Sequence, residues 1–266
     1  MTAVDAALER HNREQIEMLN QRGGRTLSIV DLMVAETITP EAAGYVLWHV
    51  AHGASFLTGA VPGGAGKTTL LADLLGMLPP GERIVTTPDA GAVREATRDS
   101  DRRGLCYLCH EIGSGMWYGY LWGQTVARFL QLAENGGRIA ACLHADDPVQ
   151  MRDIFLSPAL GVTDGAFGRV GLLLFMAIEG GHGRTVRRVS SIWSADGSGG
   201  HELAFERDVR ADRLRQVRVA QPPGGDLRPS LQACVTFTTQ LAEGRARLFE
   251  EVREATVAFY ARERGF

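Results

Sequence analysis

The sequence predicts an α/β fold: a mostly parallel sheet flanked by helices, with a β-meander and C-terminal helices appended. Three observations carry this. Short apolar runs alternate with helical segments through the middle of the chain, as parallel strands and their crossover helices do. A glycine-rich loop follows one such run, 54–59 (ASFLTG), and leads into an amphipathic segment at 69–77. Two later runs, 186–194 and 202–207, flank a Gly/Ser-rich turn at 197–200 and read as a hairpin.

The bulk numbers fit such a chain. Its 266 residues can bury a substantial core as one large domain or two small ones. Apolar residues make up 45% and charged residues 22%, and the formal charge of −3 supplies no global basic field for nucleic acid. The four cysteines are too few and too scattered for a disulfide framework and suit a reducing compartment. The first ten residues carry Asp5, Glu9 and Arg10 with no apolar stretch following, so no secretory signal is expected.

In chain order, residues 3–20 place spaced apolar residues among charges and predict an exposed or partner-packed helix. The stretch 21–25 (QRGGR) breaks it. Residues 27–34 run on to Thr39-Pro40-Glu41, a cap with proline in the first turn, and to a helix over 41–52. Trp48 in that helix reads as core filler in preference to a lid over a nucleotide base. The helix at 69–77 stops at Pro79-Pro80-Gly81. Residues 83–87 (RIVTT) form a second strand, and 105–109 (LCYLC) a third ending in His110-Glu111. The segment 113–123 (GSGMWYGYLWG) sets four aromatics among glycines. A helix over 124–134 is closed by Asn135-Gly136-Gly137. A fourth strand at 138–142, with Leu143, ends at His144; a helix follows over 148–155, a buried strand over 172–178, and mainly helix over 230–264. Linkers near 21–25, 196–201 and 221–229 suggest a helical N-terminal segment at 1–52, a core with hairpin at 53–220, and a C-terminal helical region at 221–266.

Residues 61–68 (VPGGAGKT) match the phosphate-binding pattern G-x-x-x-x-G-K-[ST] in all but the first position. Val61 stands where the pattern has glycine, so with Gly59 as anchor the loop is about two residues longer. The expected fold class is therefore that of the P-loop NTPases, RecA-like, with ATP and Mg²⁺ as cofactors. Gly63, Gly64, Ala65 and Gly66 let the backbone wind tightly and aim N–H groups at phosphate oxygens, together with Lys67, Thr68 and Thr69. Lys67 would reach the β/γ-phosphates, the Thr68 hydroxyl would bind Mg²⁺, and the following helix adds its positive end.

Such a site needs an acidic residue at the end of a neighbouring strand, to hold the Mg²⁺ shell or orient the attacking water; Glu111 is so placed. Asp89, after the second strand, is a further candidate, and His144 a candidate γ-phosphate sensor. Arg94, Arg98, Arg102 and Arg103 either include an arginine finger or face solvent. Cys106, Cys109, His110, Cys142 and His144 invite a zinc reading. The three-residue separation of Cys106 and Cys109 along a strand puts them on opposite faces, so buried apolar cysteines are expected. Trp117, Tyr118, Tyr120 and Trp122 read as a subunit contact in preference to a base-stacking platform, because no basic residue lies between 112 and 127.

Taken together, these residues resemble the secretion-superfamily ATPases, the motors of type II and type IV secretion, type IV pili and archaella, with the archaeal branch nearest. The resemblance runs from about residue 27 to about residue 212. It is carried by 27–48 ahead of the Walker A loop, 77–89 (MLPPGERIVTTPD) with its double proline and Asp box, and 109–113 (CHEIG) at the Walker B position. The stretches 143–148 (LHADDP) at the His box, 155–162 (FLSPALGV) and 187–193 (RRVSSIW) continue it. It implies Lys67 and Thr68 as the Walker A lysine and hydroxyl, Glu111 as the Walker B glutamate, His144 as the His-box histidine, and Arg94 as the arginine after the Asp box.

The resemblance also implies a function: a motor-type protein that hydrolyses ATP with Mg²⁺ to power secretion or the assembly of a pilus- or archaellum-like filament. Implied partners are further subunits, in a homo-hexamer or a hetero-oligomer with a paralogue, and a membrane platform protein that holds a cytoplasmic chain at the inner face of the membrane. Pro88 stands where the family has a glutamate before the Asp-box aspartate. The loop after Glu111 is longer and lacks arginine, and the family's large N-terminal domain is expected to be missing. These departures point to an alternative, a degenerate nucleotide-binding regulatory or structural subunit with little turnover, working with a full-length paralogue. A DNA-translocating ATPase would need a basic stripe, and none is visible.

Overall fold

The computed structural model describes residues 3–20, 23–180, 185–222 and 229–264. Parts of the linkers expected around 21–25 and 221–229 lie outside the described residues.

The N-terminal helices are α1 (Ala3–Glu17), α2 (Ile29–Val34) and α3 (Pro40–Ala51). A capping box starts α2: the Ser28 hydroxyl accepts from the Asp31 N–H while the Asp31 carboxylate accepts from the Ser28 N–H. Thr39 caps α3, with Pro40 in the first turn. Next come β1 (Phe56–Gly59), α4 (Lys67–Gly76), β2 (Arg83–Thr86), α5 (Ala90–Ala96), β3 (Leu105–Ile112) and β4 (Tyr120–Leu121). The middle of the chain adds α6 (Gln124–Gln131), β5 (Arg138–Leu143), α7 (Pro148–Leu156), α8 (Asp164–Phe167) and β6 (Leu172–Glu179). It closes with β7 (Val186–Ala195), β8 (His201–Asp208), β9 (Arg213–Gln216), α9 (Leu231–Glu243) and α10 (Phe249–Arg264).

Among the described residues the strands form one sheet in the order β2-β3-β5-β1-β6-β7-β8-β9, with β4 beside the end of β3. The part from β2 to β6 is parallel, and β6 to β9 is an antiparallel meander. This is the predicted α/β P-loop fold. Because β5 lies between β1 and β3, the C-terminal ends of three parallel strands meet at one edge of the sheet. Open α/β sheets bind ligands at that edge.

Strands buried on both faces feed two cores by alternation. Phe56, Leu172 and Leu174 face the core built with α1 to α4, α9 and α10. Leu57, Leu173 and Phe175 face the core built with Phe129 and Phe155 from α6 and α7. Cys106 and Cys109 fall in different cores, as their spacing requires. Burial pushes the Cys106 and Cys142 thiols up to about 12, so both are neutral packing groups. Trp48 is 3% exposed and packs edge-on to Tyr45 as core filler.

Some elements differ from the expected ones. Strand β3 continues past Cys109 to include Glu111, because the aromatic segment folds back and β4 supplies ladder partners, Tyr120 opposite Glu111. A helix, α5, occupies the arginine-rich run, started by the Asp89 side chain accepting from the N–H groups of Gly91 and Ala92. The C-terminal region is two helices, and β9 extends the hairpin to a third antiparallel strand.

One residue of α4 is at odds with its surroundings. Asp73 is 2% exposed, and among the described residues neither carboxylate oxygen has a hydrogen-bond partner. Burial first, and the negative field of Asp31 second, raise its pKa well above the ordinary 3.8. The folded state therefore keeps a proton that the unfolded chain has released, and stability falls as pH rises from the ordinary carboxylate range towards the raised value. Asp73→Asn is expected to raise Tm at pH 8 and to match wild type near the unfolded carboxyl pKa of 3.8. Thermal unfolding at the two pH values checks it, and equal shifts at both would contradict the assignment.

Candidate functional site

A cleft of about 1050 Å³ opens beside the C-terminal ends of β1, β3 and β5, large enough for a nucleoside triphosphate. The loop between β1 and α4 forms its floor. Gly64 and Gly66 adopt φ of 81° and 100°, the left-handed region that favours glycine. Gly66 sits at the N-cap of α4 with no side-chain cap, which leaves the first N–H groups of the helix without side-chain acceptors. Gly59 ends β1, where an added Cβ would lie 2.5 Å from the Ala145 carbonyl oxygen. The lengthened loop is held from the segment after β5: the Val61 N–H donates to Asp146 Oδ1 at 2.6 Å, and the Val61 carbonyl accepts from His144 Nδ1 at 2.9 Å. The latter contact assigns the proton to Nδ1.

Three predicted residues converge here from different elements. Lys67 is 7% exposed; its Nζ donates to the Ala60 carbonyl at 3.1 Å and lies 3.4 Å from His144 Nδ1. His144 Nε2 is in turn 3.4 Å from Glu111 Oε1. With Nδ1–H committed to Val61, the two longer contacts are electrostatic proximity and not strong hydrogen bonds. Burial raises the Glu111 pKa, opposed by the charge of Lys67 and then by His144. The aromatic segment supports Glu111 from behind: the Gly119 carbonyl accepts from the N–H groups of His110 and Glu111 at 2.9 and 3.2 Å. An added Cβ at Gly119 would strike the His110 ring at 2.5 Å. His110 is itself buried, which lowers its pKa to about 4, and Tyr118 lies edge-on to it. Met116, Trp117, Tyr118 and Trp122 are exposed.

Gly63, Gly64, Ala65, Gly66, Lys67, Thr68 and Thr69 line the cleft together with Glu111 and His144. Asp89 and Arg94 do not: Asp89 Oδ1 caps α5, and Arg94 rides on that helix. Arg98 pairs with Glu95, Arg103 with Asp101, and Arg102 is buried among the carbonyls of Ala96, Thr97 and Gln131. None of these arginines lines the cleft.

Two residues that hold the loop lie outside the site expected from sequence. Asp146 holds Val61, and Arg187 of β7 donates from Nε to the Gly64 carbonyl at 2.7 Å. Both belong to stretches with visible patterns, 143–148 and 187–193, yet nothing local distinguishes them from solvated charges.

For Mg²⁺, the fit is that of a partial site. Glu111 Oε1 is buried without a hydrogen-bond partner among the described residues, and Thr68 lines the same cleft. Hard oxygen donors in this small number suit a cation that takes the rest of its shell from water and substrate phosphates. Among the described residues no group of three or more His, Cys, Asp or Glu could hold a metal alone.

Fold and cleft define the class: a P-loop NTPase fold with the acidic strand β3 separated from β1 by β5. No family model matches the chain, and no curated protein sequence is similar to it. Among solved structures it is similar to the VirB11 ATPase of the Brucella suis type IV secretion system, solved with sulphate. There the identity is 18% and the TM-score 0.41, over 57% of this chain and 52% of that one. It is also similar to the Legionella pneumophila ATPase DotB, at 14% identity and a TM-score of 0.44, over 78% of this chain and 57% of that one. The chain spans just over half the length of each. The fold class rests on the strand order and the loop, and what either protein does is a statement about that protein.

Proposed function

We propose that this chain binds ATP and hydrolyses it with Mg²⁺ as a motor-type protein of the secretion-ATPase kind. The convergence of Lys67, Glu111 and His144 on the glycine-rich loop, each from a separate element, carries the reading. Lys67 leaves the Ala60 carbonyl for the β/γ-phosphates, a stronger charge-assisted partner. The loop N–H groups and the end of α4 hold phosphate oxygens. Mg²⁺, when bound with the nucleotide, neutralises charge on the transferred phosphoryl group; Thr68 would hold it directly and Glu111 through its water shell. Glu111 orients the attacking water, and His144, in contact with both Lys67 and Glu111, reports on the γ-phosphate.

Nucleotide binding and steady-state turnover of wild type and Lys67→Ala test this. Lys67→Ala should weaken Mg²⁺–ATP binding by about 10- to 100-fold, the worth of a hydrogen bond to a charged group, and abolish turnover. A wild type that binds no nucleotide would sink the reading.

A second reading is favoured by one observation: Asp89 is committed to capping α5, next to Pro88, which stands where the resembled family has a glutamate. On it the chain is a nucleotide-binding regulatory or structural subunit paired with a full-length paralogue. Nucleotide binding without wild-type turnover would select it. Assembly into a ring, in a hexamer or with a paralogue, and docking on a membrane platform protein from the cytoplasmic side belong to the first reading. Light scattering with and without Mg²⁺–ATP tests the ring, which a nucleotide-independent monomer would overturn. Among the described residues no helix is long and apolar enough to cross a membrane.

A further inference from the structure

Phosphoryl transfer places negative charge on the γ-phosphate oxygens, and P-loop enzymes meet it with a second cation besides the loop lysine, supplied by the same chain or by a neighbour. Of the four arginines singled out by sequence, Arg98, Arg102 and Arg103 are engaged near α5, Arg94 rides on that helix, and none lines the cleft. Arg187 is within it.

The backbone at Arg187 is fixed while its side chain is exposed. Ile178 of β6 pairs with Arg187 in the antiparallel ladder. Two residues on, the Val189 N–H donates to the Thr37 carbonyl at 2.8 Å. The neighbouring Arg188 points the other way and is 6% exposed; it donates to the Ala35 carbonyl at 2.9 Å and meets Glu36 and Asp212. Arg188 is thus a buried brace between β7 and the end of α2. Arg187, with alternate facing on the strand, lies over the phosphate loop. Its Nε holds the Gly64 carbonyl, and its Cδ is 3.4 Å from where a Cβ on Gly66 would stand. Among the described residues its two Nη groups have neither a hydrogen-bond nor an ion-pair partner. A guanidinium with no carboxylate beside it, held at the glycines that would cradle phosphates, is a site for a further anionic group.

We propose that Arg187 is this chain's own γ-phosphate ligand, giving up the Gly64 carbonyl for a phosphate oxygen when a nucleoside triphosphate fills the cleft. This rests on the nucleotide reading above. Exchange of a neutral carbonyl for a phosphate oxygen replaces an ordinary hydrogen bond with a charge-assisted, forked one. The exchange also releases Gly64, so the loop can close on the phosphates only when the third phosphate is present. A purely structural Arg187 would act differently, bracing the loop equally for a diphosphate and a triphosphate.

Calorimetric titration of wild type, Arg187→Ala and Arg187→Lys with Mg²⁺–AMP-PNP and with Mg²⁺–ADP separates these. Arg187→Ala should lose about 10- to 100-fold in affinity for AMP-PNP, and about 3-fold or less for ADP. Arg187→Lys, which keeps the charge without the fork, should recover part of the AMP-PNP loss, and being exposed it should fold as wild type does. Equal losses for both nucleotides would make Arg187 a loop brace and overturn the proposal, as would no loss for either. If wild type binds neither nucleotide, the functional reading itself fails and this inference with it.

Discussion

Glu111→Gln is expected to bind Mg²⁺–ATP about as wild type does and to lower kcat by about 10²- to 10⁴-fold, the range for a positioned general base. Glutamine fills the same buried space beside β4, so the change removes a charge and leaves the packing. The stability sign favours a clean experiment. Burial raises the Glu111 pKa, so the unfolded chain releases this proton first and folding stability falls as pH rises from the ordinary carboxylate range towards the raised value. The glutamine variant should therefore be at least as stable at neutral pH, and lost turnover cannot be traced to unfolding. The ionised carboxylate is the form that accepts a hydrogen bond from water. Wild-type kcat/KM should accordingly rise with pH through the elevated Glu111 pKa of the free protein, and the variant should lose that limb. Single-turnover rates across pH, with binding measured in parallel, decide it; an unchanged rate in Glu111→Gln would remove Glu111 from the chemistry.

The second large effect is on stability. Arg138→Ala should cost about 3–5 kcal/mol, the range for breaking a buried ion pair from one side. Arg138 begins β5 with its side chain 5% exposed, and Nη2 meets Glu82 Oε1 at 2.7 Å. Its Nη1 donates to the Val50 carbonyl at 2.8 Å and approaches that of Ala54 at 3.4 Å. One guanidinium thus joins the last turn of α3, the entry to β1 and the residue before β2. Alanine removes the buried guanidinium from the Glu82 carboxylate and takes one donor from each of the Val50 and Ala54 carbonyls. Arg138→Lys keeps the charge but cannot present the fork, and should fall between. Urea unfolding of the three proteins reads the difference, and a loss below about 1 kcal/mol for Arg138→Ala would show that the pair is of the weak, solvent-screened kind.

Much of the site is legible in the sequence because its signals are short-range. The glycines at 63, 64 and 66 beside Lys67 and Thr68 mark a tight loop at a helix start, and φ of 81° at Gly64 and 100° at Gly66 is the reason glycine stands there. Glu111 and His144 stand out as polar residues closing apolar runs, which is what a strand reaching the ligand edge looks like in sequence. Arg94 is equally well spaced, yet Asp89 turns the chain into α5 and takes Arg94 away from the cleft. The Asp89 cap is a local signal, an aspartate directly ahead of a helix, masked by the arginine-rich composition that follows.

The sequence by itself determined the α/β class, the strand–loop–helix phosphate loop, the opposed faces of Cys106 and Cys109, and the cap at Thr39. All of these follow from periodicity and steric preferences within a few residues. Only the tertiary structure placed β5 between β1 and β3, tied Val61 to Asp146, and brought Arg187 onto Gly64 across 123 residues of chain. Those approaches depend on which strands pair and in what register, and register is settled by the packing of two cores on both faces of the sheet at once. No window of sequence contains that information.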